Sequence, residues 1–186
     1  MSEFENRIFD TLTLSEEKFK SAFEISNHLN GVKRKLLKQF WKNVEKELKE
    51  LVKISEEDLK VVLDPNIFLH TSKCYLYYGN NPSVRIVYEV LNGKQRFGIW
   101  FVDKNINFEK IRNYNNQVKN QFDGYHFNHW WFAKKHTQDD FTTLDSLMMI
   151  LPGNMSEYSK LKAKELFDFA VTNKEHTKYI INNCLN

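Results

Sequence analysis

An Asn-Gly pair, Asn92-Gly93, separates two runs of β-branched and aromatic residues, SVRIVYEVL and KQRFGIWFV, and it constrains this chain more than any other local feature. Both residues accept the positive φ of a two-residue type I′ turn, so the spacing predicts a hairpin with strands near 84–91 and 94–103. A third run, KCYLYYG, predicts a strand near 73–78. The stretch 54–72 is ambiguous, since LKVVLDPNIFLH can hold a short strand broken at Asp64-Pro65.

Around these strands the periodicity is helical. Thr13 and Glu16 match a capping box, Phe19, Phe23 and Leu29 mark an apolar side, and Gly31 stands where a helix over 13–30 would end. A second helix, about 32–53, carries Leu37, Phe40, Trp41, Val44, Leu48, Leu51 and Val52 at spacings of three and four. The two are expected to form an antiparallel pair. Further on, Asn107 can cap a helix to about Phe122, with Phe108, Ile111, Val118 and Phe122 turned inward. Thr137 and Asp140 match the start of a short helix to Leu151, with Pro152-Gly153 as its stop, and 155–185 holds one or two more. Only 6 Gly and 3 Pro interrupt 186 residues, which favours long regular elements over a many-stranded barrel. The expected architecture is α+β: an antiparallel sheet of three to four strands flanked by the N-terminal helix pair and C-terminal helices. It forms one globular domain, helical over 1–55 with the sheet and remaining helices over 56–186, and long enough to bury a core without staples.

Composition narrows the setting. Cys74 and Cys184 are far apart and in no metal-ligand spacing, which points to a reducing, cytoplasmic compartment. MSEFENRIFDTL is acidic and broken by charge, unlike a signal peptide, and no apolar run approaches the ~20 residues of a membrane helix. The net charge of +3 says little, but its distribution says more. Between residues 91 and 138, eight basic side chains (Lys94, Arg96, Lys104, Lys110, Arg112, Lys119, Lys134, Lys135) face three acidic ones (Asp103, Glu109, Asp123). An anion-binding face should involve this segment.

The densest stretch within it is GYHFNHWWFAKKH, residues 124–136. A zinc site is disfavoured, because His126 and His129 would fall on opposite faces of an extended chain and no cysteine or evident carboxylate completes a tetrahedron. Two readings remain: Trp130, Trp131, Lys134 and Lys135 as a base-stacking platform, or aromatics such as Phe127 and Trp131 as core. A partly buried aromatic strand without metal is expected.

Enzyme signatures are mostly missing. The chain has no phosphate-cradling Gly-rich loop and no Gly-x-Ser-x-Gly elbow, and neither cysteine has the context of an activated thiolate. Acidic-x-Lys spacings occur at Glu16–Lys18, Glu47–Lys49 and Asp58–Lys60; a residual metal site would have to use Asp58, Lys60 and Asp64. No catalytic residue, metal or cofactor is assigned. One feature is positive: at 100° per residue Lys35, Lys42, Lys46 and Lys53 fall within about 20° of one line opposite the apolar helix face, a ridge about 27 Å long. Such a ridge suits a nucleic-acid backbone or an acidic partner, although Glu45, Glu47 and Glu50 beside it also fit a solvated face.

From about Tyr75 the chain resembles the C-terminal accessory region of a bacterial PD-(D/E)XK nuclease-like family found near phage-defence loci. The residues that carry the resemblance are the strand pair YEVLNGKQRFGIWF, a helix, the Y-x-x-x-x-WW stretch, DDFTTLDSLMMIL and a final LKAKELFDFA helix. The nuclease core of that family has no counterpart here, so the resemblance implies an accessory fold without its enzyme. By analogy of kind, small proteins without catalytic motifs include anti-CRISPR proteins. The leading expectation is therefore a non-enzymatic inhibitor or regulator of a nucleic-acid-handling protein, such as an RNA-guided CRISPR effector. Lys35, Lys42, Lys46, Lys53, Arg96, Trp130, Lys134 and Lys135 are its candidate contact residues. The alternatives are a module that binds RNA or DNA directly, or a degenerate nuclease relative.

Overall fold

A computed structural model describes residues 2–67, 71–102 and 106–185. Its elements are α1 (Glu3–Leu12), α2 (Glu16–Ser55), β1 (Leu59–Leu63), β2 (Thr71–Tyr78), β3 (Val84–Leu91), β4 (Lys94–Phe101), α3 (Phe108–Val118, extended by a 3-10 turn Lys119–Phe122), β5 (Trp131–Asp140), α4 (Leu144–Met149), α5 (Pro152–Thr172) and α6 (Lys174–Asn183). The α+β class is as expected, with five strands in place of three to four. They run in the order β1-β2-β3-β4-β5, each antiparallel to its neighbour.

The hairpin forms as the Asn-Gly pair predicts. Asn92 and Gly93 take φ of 51° and 82°, and Leu91 faces Lys94 across the turn. Strand β1 stops before Pro65, as read from the sequence. Asp103, the expected end of β4, and Lys104 lie outside the described residues.

Because successive strand residues point to opposite faces, this register collects Leu59, Val61, Ser72, Cys74, Leu76, Tyr78, Val84, Ile86, Tyr88, Val90, Ile99 and Phe101 on one side. The helices reach the sheet there. Trp41 of α2 donates its indole N–H to Ser72 Oγ at 2.6 Å, and its ring lies 5.0 Å from that of Tyr88. Phe97 packs edge-on to Phe169 of α5, and Tyr78 donates its hydroxyl to the Ala170 carbonyl at 2.9 Å. The buried polar group at the centre, Gln95, accepts hydrogen bonds from Tyr88 and from Tyr158.

Four local expectations fail for identifiable reasons. Gly31 does not end a helix: α2 runs unbroken for 40 residues, and the expected antiparallel pair does not exist. A glycine stops a helix by taking a left-handed conformation, which Gly31 does not do, and its interior cost of about 1 kcal/mol is spread over a long helix. The left-handed stop is Glu56, at φ 58°. Thr13 closes α1, a helix not anticipated, and the cap of α2 is Ser15, whose hydroxyl accepts from the Lys18 N–H. Thr137–Asp140 belongs to β5, because pairing with β4 outweighs a cap that Thr143 supplies equally well six residues later through the Ser146 N–H. Finally, Pro152 begins α5 at its first turn, where a missing N–H is harmless. Asn107 caps α3 as expected, through the Lys110 N–H.

Candidate nucleic-acid interface

The second face of the sheet is built by the other half of the same alternation. Along β2 every other residue is half-exposed: Lys73, Tyr75 and Tyr77 stand on this side. The register sets Arg85, Val87 and Glu89 of β3 beside them, then Arg96, Gly98 and Trp100 of β4, with Lys60 of β1 at one edge and Trp131, Lys134 and His136 of β5 at the other. A solvated sheet face ordinarily carries small polar residues. This one interleaves aromatic rings with cations.

The interleaving is one of direct contact. The Arg85 guanidinium lies 4.2 Å from the Tyr75 ring centre and 5.7 Å from that of Trp100. Lys73 Nζ is 4.7 Å from the Trp100 ring, Arg96 is 5.3 Å from Trp131, and Lys60 is 6.0 Å from Tyr77. Cations at these distances are attracted to the negative ring face. Among the described residues of β1 to β4 on this face, Glu89 is the one carboxylate, and it is occupied by Arg96 at 2.6 Å. Lys73 makes only a long pair with Asp64, 3.7 Å, and Arg85 Nε donates to the Pro82 carbonyl. Net positive charge therefore remains on the face. His136 is held toward its neutral form: burial first, then the charges of Lys134, Arg96, His126 and Lys94, pull its pKa below the ordinary imidazole value.

Gly98 keeps the floor of this face flat. A Cβ there would lie 1.8 Å from the Ala133 carbonyl oxygen, so only glycine lets β4 and β5 approach at their irregular junction.

The structure divides the candidates read from the sequence. Arg96 lies on the open face by contact, and Lys134 by its register opposite Gly98. Lys135 sits on the other side, 5.6 Å from the Tyr125 ring. Trp130 is 58% exposed in the segment before β5, next to the sheet edge, where its carbonyl accepts from the Phe101 N–H. Lys35, Lys42, Lys46 and Lys53 are exposed along α2, opposite its packed side and so directed away from the sheet. None of these four is in an ion pair among the described residues. In the 124–136 stretch only the part from Trp131 onward is strand; His126 folds back to exchange two backbone hydrogen bonds with Lys134. Phe127 is half-buried against the core, in keeping with the core reading, whereas Trp131 is buried on the open-face side, beneath Arg96 and outside the core cluster.

Tyr75, Tyr77, Arg85, Lys73 and Trp100 were not singled out by sequence, although the signal was present. The period-two pattern in KCYLYY and VRIVYEV, combined with the register that Asn92-Gly93 imposes, assigns all five to one face.

Two of the three residues expected for a residual metal site, Lys60 and Asp64, have other partners. Lys60 donates to Asn80, and Asp64 accepts from the Asn66 N–H and meets Lys73. Among the described residues, no three His, Cys, Asp or Glu side chains gather where they could hold a metal ion. Burial raises the thiol pKa of both Cys74 and Cys184, opposite to what a nucleophile requires. No helix among the described residues is long and apolar enough to cross a membrane. No family model, curated protein or solved structure matches this chain.

Proposed function

We propose that this protein binds single-stranded nucleic acid across the open face of its sheet, as a module without catalytic activity of its own. The observation that carries the reading is the contact ladder Tyr75–Arg85–Trp100–Lys73, in which rings and cations alternate. Unpaired bases stack on aromatic rings and on guanidinium planes, while the neighbouring cations meet phosphates. From β2 to β5 the ringed strands span about 14 Å, at ~4.8 Å per strand. That is a width over which sheet platforms stack two or three bases. A duplex hides its base faces and has little to offer these rings.

A second reading has its own support. The ridge of Lys35, Lys42, Lys46 and Lys53 lies on the opposite side of the molecule, exposed and, among the described residues, without ion-pair partners. It suits an acidic protein groove, the contact that an inhibitor of an RNA-guided effector would need.

Titration of labelled single-stranded RNA and DNA, with duplex of the same sequence as control, tests the first reading. Single strands should bind and quench tryptophan fluorescence, with log K falling against log salt at a slope of roughly −2 to −3 for three to four neutralised phosphates. Duplex preference, or no binding at low salt, removes this reading and leaves the acidic protein partner.

A further inference from the structure

The first 21 residues of α2 contain no buried side chain, and α1 contains none either; the first buried position of α2 is Leu37. At ~1.5 Å per residue, about 30 Å of helix therefore projects from the domain. The projecting part is not polar. Phe4, Ile8, Phe9, Leu14, Phe19, Phe23, Ile25, Leu29 and Val32 are all exposed, Phe23 at 61% and Ile25 at 66%. Summed over the nine side chains, this is on the order of 900 Å² of exposed apolar surface, carried on α1 and on a broad side of α2, where Phe19 and Phe23 lie about 130° around the helix from Ile25, Leu29 and Val32. Helices gain most of their stability by packing apolar side chains, and among the described residues nothing buries these.

We propose that the arm formed by α1 and the first half of α2 pairs with the same arm of a second copy, antiparallel and about a two-fold axis. Two observations select that occupant. The exposed area is about that of one side of a standard stable interface, ~800 Å². Charge is also polarised along the arm. Residues 3–24 carry six acidic side chains (Glu3, Glu5, Asp10, Glu16, Glu17, Glu24) and three basic ones, whereas residues 25–36, the root of the arm, carry three basic side chains (Lys33, Arg34, Lys35) and no acidic one. An antiparallel pair sets the acidic tip of each arm against the basic root of the other, and a parallel pair sets like against like. The acidic tip also disfavours an anionic membrane surface as the occupant. A groove of about 500 Å³ at the junction of the two helices, lined in part by Leu12, Ala22 and Ile25, can receive apolar side chains of the second arm. The two domains then lie at opposite ends of the paired arms. This inference does not depend on what the sheet binds.

Sedimentation equilibrium of the full chain from about 1 to 100 µM tests it. The expected mass is twice the 22.3 kDa of one chain. The double substitution Phe19→Ser with Phe23→Ser should raise the dimer dissociation constant on the order of a hundredfold or more, as loss of two interface anchors does. Its circular dichroism and thermal midpoint, measured at a concentration where the parent is also monomeric, should stay unchanged, because neither ring belongs to the core. For orientation, Glu16→Lys, Glu17→Lys and Glu24→Lys together should weaken the dimer, and Lys33→Glu, Lys35→Glu and Lys38→Glu added to them should restore it. A monomer throughout the range overturns the proposal. So does a dimer that survives Phe19→Ser with Phe23→Ser, and a failure of the reversed charges to restore it overturns the antiparallel arrangement.

Discussion

The guanidinium of Arg85 lies over the ring of Tyr75, 4.2 Å from its centre, on the face of the sheet that no buried core claims. The two residues sit on neighbouring strands, and the hydrogen-bond register that joins β2 to β3 sets their distance. If bases stack here, Tyr75→Ala and Trp100→Ala should each weaken single-strand binding by ~1–3 kcal/mol, about 5- to 150-fold. Arg85→Lys keeps the charge but not the plane, so it should lose affinity while leaving the salt slope unchanged. Fluorescence anisotropy across a salt series separates the two effects.

A pH dependence follows from His136. Burial and the surrounding cations hold its pKa below the ordinary value of about 6.5, so the folded chain binds this proton less readily than the unfolded chain. Its contribution to stability is therefore fully present above about pH 6.5 and declines as pH falls below it. A bound phosphodiester opposes the field of Lys134 and Arg96, raises the pKa and draws in a proton. Single-strand affinity at fixed ionic strength should rise between about pH 7.5 and 5.5, and His136→Gln should flatten the rise. Equal affinity at both ends of this range in the parent chain would show that phosphate does not bind beside His136.

Lys162 and Lys164 are two residues apart on α5 and should respond very differently to charge reversal. Lys162 is buried, with its ammonium 3.0 Å from Asp139 on β5 and 3.0 Å from Glu165. Lys164 is exposed, and among the described residues its ion pair is with Asp168 on its own helix. Lys162→Glu should destabilise the fold by roughly 2–4 kcal/mol, below the cost for a fully buried pair because both carboxylates are partly exposed. Lys164→Glu should change stability by about 0.5 kcal/mol or less. Urea unfolding of the two variants gives the comparison.

What could be read from the sequence was what local chemistry decides. Asn92-Gly93 specified the hairpin, its register and, through the alternation, which strand residues share a face. The open face itself was legible in Lys73, Tyr75 and Tyr77, whereas of the dense 124–136 stretch Trp130 stands at the edge of that face and Lys135 on the opposite side. Helix ends were less legible. Thr13, Ser15, Thr137 and Thr143 all offer the same hydroxyl, and only pairing of β5 with β4 decides that Thr137 is strand and Thr143 is cap. Nothing local distinguishes a Gly31 that stops a helix from one that continues it. The exposure of Phe19 and Phe23 depends on where the domain ends, which periodicity does not encode.

Gly98 should not tolerate a side chain. A methyl group would meet the Ala133 carbonyl oxygen at 1.8 Å and the Lys134 Cα at 3.0 Å, both backbone. Gly98→Ala should separate β4 from β5 and destabilise the protein by roughly 2–4 kcal/mol, in the range of severe overpacking and strain. Amide exchange should locate the loss at β5. Gly31→Ala, with open space around it, should instead be neutral or stabilising by up to about 1 kcal/mol.

The sheet face and the α2 ridge point in opposite directions, so one comparison of two variants separates them. The first variant combines Tyr75→Ala, Arg85→Ala and Trp100→Ala; the second combines Lys35→Glu, Lys42→Glu, Lys46→Glu and Lys53→Glu. Both should retain the parent circular dichroism, and each is titrated against a labelled single-stranded oligonucleotide at about 0.1 M salt. Binding through the sheet predicts that the first variant loses at least a hundredfold in affinity, by the ~1–3 kcal/mol expected for each stacked base, while the second stays within about threefold of the parent. A first variant that binds like the parent, with the second abolished, would contradict the account and move the function to the helix.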